Sequence, residues 1–154
     1  MSYNKTHRGI YTPKNPSKWV LTEASHFKGT IKYLSGWERK FMVWADMNPK
    51  VVLVSSEPFP IKYHSPVDNK MHKYFIDFYV EVKQLDGSIR KLAIEIKPKV
   101  QCLPPKKTRN KIRYVKEMKT YVTNQAKWAA ARTFSIKQGW DFVILTEHEL
   151  GISK

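Results

Sequence analysis

Residues 73–98, KYFIDFYVEVKQLDGSIRKLAIEIKP, decide the fold. Two apolar runs, 73–82 and 89–98, alternate with a period of two around the turn signal Leu85-Asp86-Gly87, which predicts an antiparallel hairpin. A three-residue loop, with a type I turn closed by Gly87 in the left-handed region, pairs Gln84 with Ser88. Val80 then faces Leu92, Phe78 faces Ile94 and Ile76 faces Ile96, so one side of the ribbon is wholly apolar. A two-residue Asp-Gly turn would instead set Phe78 against Glu95 and Ile76 against Lys97, mixing the faces. Patterning selects the first register.

That register sets Asp77 opposite Glu95, with Lys97 beside them. Two carboxylates facing each other across a ladder, roughly 5 Å apart, destabilise a sheet unless something cationic joins them. A pair of hard oxygen ligands suits Mg²⁺, with water and phosphate oxygens completing its shell. Lys97 is placed to orient a nucleophile or stabilise developing charge. Each residue also has an ordinary role: Glu95 and Lys97 as a solvated pair on an exposed sheet face, Asp77 salt-bridged to Lys97. The convergence of all three within one hairpin is what favours a site. Glu38, in Ser35-Gly36-Trp37-Glu38, fits a capping box and needs no further role on spacing alone. Asp68, in SPVDNK, reads as a turn residue.

Upstream, residues 1–30 read as an extended basic arm draped on a domain at 31–154, a single domain overall. A helix begins after Ser35, buries Trp37, Phe41 and Trp44 on one face, and stops at Asn48-Pro49. Short strands follow at 51–58 and 59–64, and then the hairpin. Past Pro104-Pro105 a long basic helix is expected over about 107–137, with a kink near Thr120 and Gly139 as its C-cap. Residues 140–147, WDFVILTE, form a last buried strand.

The 154 residues carry 28 Lys plus Arg against 13 Asp plus Glu, a net +15, which points to a polyanionic partner, nucleic acid above all. With 42% apolar residues the chain is expected to be globular. No run approaches a membrane span and no signal-peptide core is visible, so a soluble, unsecreted protein is expected. Cys102 is the one cysteine, which excludes an internal disulfide and Cys-rich zinc sites. The five histidines show no metal-ligand spacing, and there is no glycine-rich phosphate loop. Lys99, Lys106, Lys107, Arg109, Lys111 and Arg113 follow the Glu95–Lys97 strand and are expected to track DNA phosphates.

A helix carrying Glu38, then YFIDFYV with Asp77, a hairpin, and IEIKP with Glu95 and Lys97 resembles the PD-(D/E)xK nuclease superfamily. The segments YTPKNPSKW, WERKFMVWADMNP, SPVDNKMHKYFIDFYV and NQAKWAAARTFSIKQGWDFVILTE, in that order, resemble the head completion nucleases of T-even-type tailed phages. That family is similar in turn to TnsA-type endonuclease catalytic domains. The resemblance spans about 11–147. It implies an α/β fold with an αβββαβ core, a central mixed sheet and flanking helices. It also implies Glu38, Asp77, Glu95 and Lys97 as catalytic, the three carboxylates as metal ligands, and Gln125 or Lys127 as an auxiliary group. Ile76 stands where the motif proline is usual.

The expected activity is Mg²⁺-dependent endonucleolytic hydrolysis of double-stranded DNA, with Mn²⁺ substituting. By resemblance the partners are phage portal or connector proteins, and the setting is the virion head and the host cytoplasm during assembly. The alternative is a virion protein of the same fold that binds DNA or the connector without cutting.

Overall fold

The computed structural model describes residues 7–21 and 30–152. Its elements are β1 (Gly9–Tyr11), β2 (Ile31–Tyr33), α1 (Gly36–Met47), β3 (Val51–Ser56), β4 (Pro60–Ser65), β5 (Lys70–Phe75), β6 (Phe78–Lys83), β7 (Ile89–Ile96), α2 (Lys111–Gln138), β8 (Asp141–Leu145) and α3 (Glu147–Leu150). The central sheet runs β3-β6-β7-β8; β7 and β8 are parallel and the other pairs antiparallel. With α1 ahead of it and α2 crossing from β7 to β8, the core is the expected αβββαβ mixed sheet between helices.

The β6–β7 hairpin adopts the register its apolar face demands. Phe78 pairs with Ile94 and Val80 with Leu92, the Gln84 N–H donates to the Ser88 carbonyl, and Gly87 has φ +87°. Alternation then sends side chains to two cores. Phe78, Val80, Ile94 and Ile96 pack with Trp37, Phe41, Met42 and Ala45 of α1. Ala93 packs on the other side with Trp128 and Ala131 of α2.

Four expectations need correction. Residues 73–82 are not one strand, for the chain breaks at Ile76–Asp77. β5 pairs with β4 in a separate ribbon, and only β6 joins the central sheet. The cause is a pair of long-range bonds: the Asp77 carbonyl accepts from the Glu57 N–H at 2.9 Å, and its carboxylate takes the Ile96 N–H at 2.7 Å, where a ladder bond would stand. Ile76 therefore joins the α2 core while Ile96 joins the α1 core, and the two do not pair. The buried arc of α1 also holds Glu38 and Asp46, which leaves Trp44 at its edge, 48% exposed. Finally, α2 runs unbroken through Thr120, whose hydroxyl donates to the Lys116 carbonyl at 3.2 Å.

Part of the arm is fastened to the domain. β1 pairs with β2, and buried Asp46 accepts hydrogen bonds from the Tyr11 hydroxyl, the Lys14 and Asn15 amides and the Trp19 indole. The rest of the arm, residues 1–6 and 22–29, lies outside the described residues. Among those described, no helix is long and apolar enough to cross a membrane.

Candidate active site

The break at Asp77 sets the site at one end of the sheet. Because the Asp77 carboxylate is bonded to the N–H of Ile96, it lies against the peptide that follows Glu95. Asp77 is thus adjacent to Glu95, but as a residue just past the last ladder pair, Phe78–Ile94. Glu95 is buried among α2-facing groups. The Tyr74 hydroxyl donates to it at 2.5 Å, and Lys97 Nζ stands 3.8 Å away, a long ion pair. The Lys97 amide is fixed to the Leu145 carbonyl at the end of β8.

Glu38 meets its expected capping role in part, with its carboxylate on the Leu34 amide and the Ser35 hydroxyl. Its N–H donates to the Ser35 hydroxyl oxygen at 3.1 Å, and its carboxylate accepts from the Leu34 amide at 2.8 Å and the Ser35 hydroxyl at 3.3 Å. It also belongs electrostatically to the site: burial raises its pKa, with Leu34, Ser35 and Lys97 opposing. Both roles coexist.

Burial, joined at Asp77 by the charges of its neighbours, defines the cluster. Burial, then Glu95 and Glu38, push the Asp77 carboxyl well above the usual range, against the Ile96 N–H and Lys97. Burial raises Glu95 too, despite Lys97, Tyr74, Lys127 and Trp128. The carboxyls are therefore held against their charged forms even with Lys97 near, and their hard oxygens fit a divalent ion such as Mg²⁺, which would favour ionisation. Among the described residues, no group of three or more His, Cys, Asp or Glu side chains is placed to hold a metal ion, so the expected three-carboxylate set with Glu38 is not formed, and an ion between Asp77 and Glu95 would depend on water and substrate oxygens for the remaining positions.

Of the auxiliary candidates, Lys127 is drawn into the site. Its ammonium lies 5.9 Å from the Tyr63 ring centre and 5.7 Å from that of Tyr74, and burial, then Lys97, lower its pKa against the pull of Glu95. Gln125 is half-buried on α2. Trp128 is core, as packing logic favours, yet its buried indole N–H has no hydrogen bond of ordinary length while helping to hold Glu95 charged. Lys99, Lys106, Lys107, Arg109, Lys111 and Arg113 are exposed along the connection from β7 into α2, and Arg113 is paired with Glu117 at 2.8 Å.

Sequence reasoning missed two residues. An uninterrupted strand would put Tyr74 on the Phe78 side; the bend at Asp77 turns it toward Glu95 instead. Glu57, at φ +43°, is raised by burial and by Glu38, and so extends the acidic group; the following Pro58 marked the break without marking the carboxylate.

Residues 48–147, which carry Asp77, Glu95, Lys97, Gln125 and Lys127, match the family described as TnsA-like endonuclease N terminal. The chain is also 37% identical over 141 residues to a protein of Enterobacteria phage T4 named head completion nuclease, an alignment covering 86% of this chain and 91% of that protein.

Proposed function

Because the chain belongs to the TnsA-like endonuclease N-terminal family, we propose that it hydrolyses phosphodiesters of double-stranded DNA in a PD-(D/E)xK arrangement dependent on Mg²⁺, with Mn²⁺ able to substitute. The observation that carries this is the bond from Ile96 N–H to Asp77, which brings a second, half-buried carboxylate beside Glu95 where Lys97 is the near cation. Asp77 and Glu95 would hold the ion, and Glu38, at the head of α1, would add its charge to theirs without joining them as a third ligand. When bound, it polarises a phosphoryl oxygen and makes a water more acidic. The chain's own groups do the rest. Lys97 directs its ammonium at the attacked phosphate and offsets charge that grows there. Tyr74 fixes the rotamer of Glu95, and Lys127 limits the negative potential behind it. Exposed lysines from Lys99 to Lys111 collect the duplex by its phosphates.

The likeness to a head completion nuclease supports a role in head completion; the form proposed for it is finishing packaged DNA at the portal and readying the filled head for tail joining. The proposed location is the virion head and, during assembly, the host cytoplasm. A non-catalytic, DNA- or connector-binding protein is the second reading, favoured by one observation: Glu38 is already engaged by Leu34 and Ser35.

Plasmid incubation separates the two. The expected result is nicking with Mg²⁺ or Mn²⁺ that EDTA stops, and loss of nicking with retained fold in Asp77→Asn, Glu95→Gln and Lys97→Ala. Wild type that binds DNA tightly and leaves it intact with both metals would hand the case to the second reading.

A further inference from the structure

The β4–β5 ribbon, outside the central sheet, carries a charge arrangement that the nuclease reading does not use. In β4, Ile61, Tyr63 and Ser65 are buried while Pro60, Lys62 and His64 are exposed. Residues that pair in an antiparallel ladder share a face, so Lys62 stands directly opposite Lys73, His64 opposite Met71 and Pro60 opposite Phe75, all on the outer side. Like charges opposed in this way destabilise a ribbon. Asp68 is the sole carboxylate within residues 60–75, and it is held at the turn by His72 at 2.7 Å and by the Lys70 N–H at 3.0 Å. The outer face thus pairs two ammonium groups with no acid of the ribbon beside them. Next to them Met71 is 61% exposed and Phe75 39% exposed.

We propose that this outer face is a DNA-contact surface, with Lys62 and Lys73 gripping the phosphate backbone of a duplex. The assignment rests on DNA being the substrate, and adds a surface distinct from the Lys99–Arg113 stretch. A phosphate between the two lysines removes the repulsion that the folded chain leaves in place. A two-stranded ribbon has the width that a major groove admits. β5 also leads straight to Asp77: Lys73 is four residues earlier, at most about 13 Å along an extended chain. At ~3.4 Å per nucleotide along one strand, the contact falls within about four nucleotides of the bond to be cut. Met71 and Phe75 offer apolar surface to sugar and base edges beside that grip.

The test is binding of the full chain to a short labelled duplex in EDTA, as a function of salt. The double variant Lys62→Ala with Lys73→Ala should flatten the slope of log K against log salt by about 2. Lys137→Glu, a charge change at the far end of α2, should flatten it less. Thermal unfolding gives an independent readout: Lys73→Glu creates a favourable cross-strand pair with Lys62, so its Tm should equal or exceed wild type while DNA binding weakens. An unchanged slope in the double variant overturns the assignment, as does an equal loss in Lys137→Glu, which would make net charge the cause. A lowered Tm in Lys73→Glu would mean that the lysines already have good partners, and overturns it as well. Wild type that binds no DNA would sink the nuclease reading itself, a failure distinct from the others.

Discussion

Asp77→Asn is expected to stabilise the metal-free protein while abolishing nicking. The Asp77 carboxylate is fixed 2.7 Å from the N–H of Ile96, on the peptide that follows Glu95, and Glu95 opposes its ionisation; the charge separation is taken as on the order of 5 Å. At an effective dielectric of about 20, unit charges at that distance repel by about 3 kcal/mol. Lys97, 3.8 Å from Glu95, cancels part of this and leaves about 1–2 kcal/mol. Asparagine keeps a carbonyl oxygen for the Ile96 N–H, so the substitution removes charge without orphaning a donor. A domain of this size gains ~2–4 °C in Tm per kcal/mol, so the variant should melt about 2–8 °C above wild type in EDTA at pH 8. Adding MgCl₂ should reverse the order. An ion at about 100 times its Kd stabilises the wild type by ~2.7 kcal/mol, and the variant, short of one ligand, gains much less. Circular dichroism melts of both proteins with EDTA and with Mg²⁺ measure all four values. A variant less stable than wild type in EDTA would show that the carboxylates are not in conflict. Equal Mg²⁺ shifts in both would show that Asp77 holds no ion. Either result refutes the reasoning.

Lys97→Ala should lower the nicking rate of supercoiled plasmid by about 10²–10³-fold, since it removes charge stabilisation rather than substrate binding, and duplex affinity in EDTA should stay near wild type. Tyr74→Phe removes the hydroxyl that orients Glu95 and should raise the Mg²⁺ concentration for half-maximal nicking by roughly 10–100-fold, with the rate largely recovered at saturating metal. Asp46→Ala strands the four donors of the arm and should cost about 3–5 kcal/mol in urea denaturation at pH 7. Burial works against a charged Asp46, but hydrogen bonds from Tyr11, Lys14, Trp19 and Asn15 win, and its folded pKa is lowered. Its contribution is therefore complete above about pH 4 and is lost as pH falls through the folded value, so wild type and Asp46→Ala should converge in acid.

The β6–β7 hairpin was legible because two local constraints agree. Gly87 admits one turn geometry cheaply, and a one-residue slip would bury Glu95 on the apolar side. The cap of α1 was legible for the same kind of reason, since Ser35 and Glu38 lie within one turn. The break at Asp77 was not, for every residue from Tyr74 to Val80 except Asp77 favours a strand. What interrupts it is a bond from Asp77 to Ile96, nineteen residues away, and no local propensity reports that. The same long-range bond hid Tyr74, whose face follows from the bend.

This failure of pattern is where the chemistry lies. A continuous strand would have kept Ile76 paired with Ile96 and left Asp77 in the ladder, opposite Glu95 but free to lean away from it. By using its carboxylate as a substitute for the ladder, the chain fixes Asp77 against the neighbouring peptide and cannot relax the repulsion by rotating it outward. Strain of this kind is costly in an idle protein and is retained where a ligand relieves it. The outer face of the β4–β5 ribbon follows the same logic with the sign reversed, Lys62 against Lys73. Unbalanced acid on one side of the break and unbalanced base on the other match the two requirements of a phosphodiesterase: a cation for the reacting phosphate and anchorage for its neighbours.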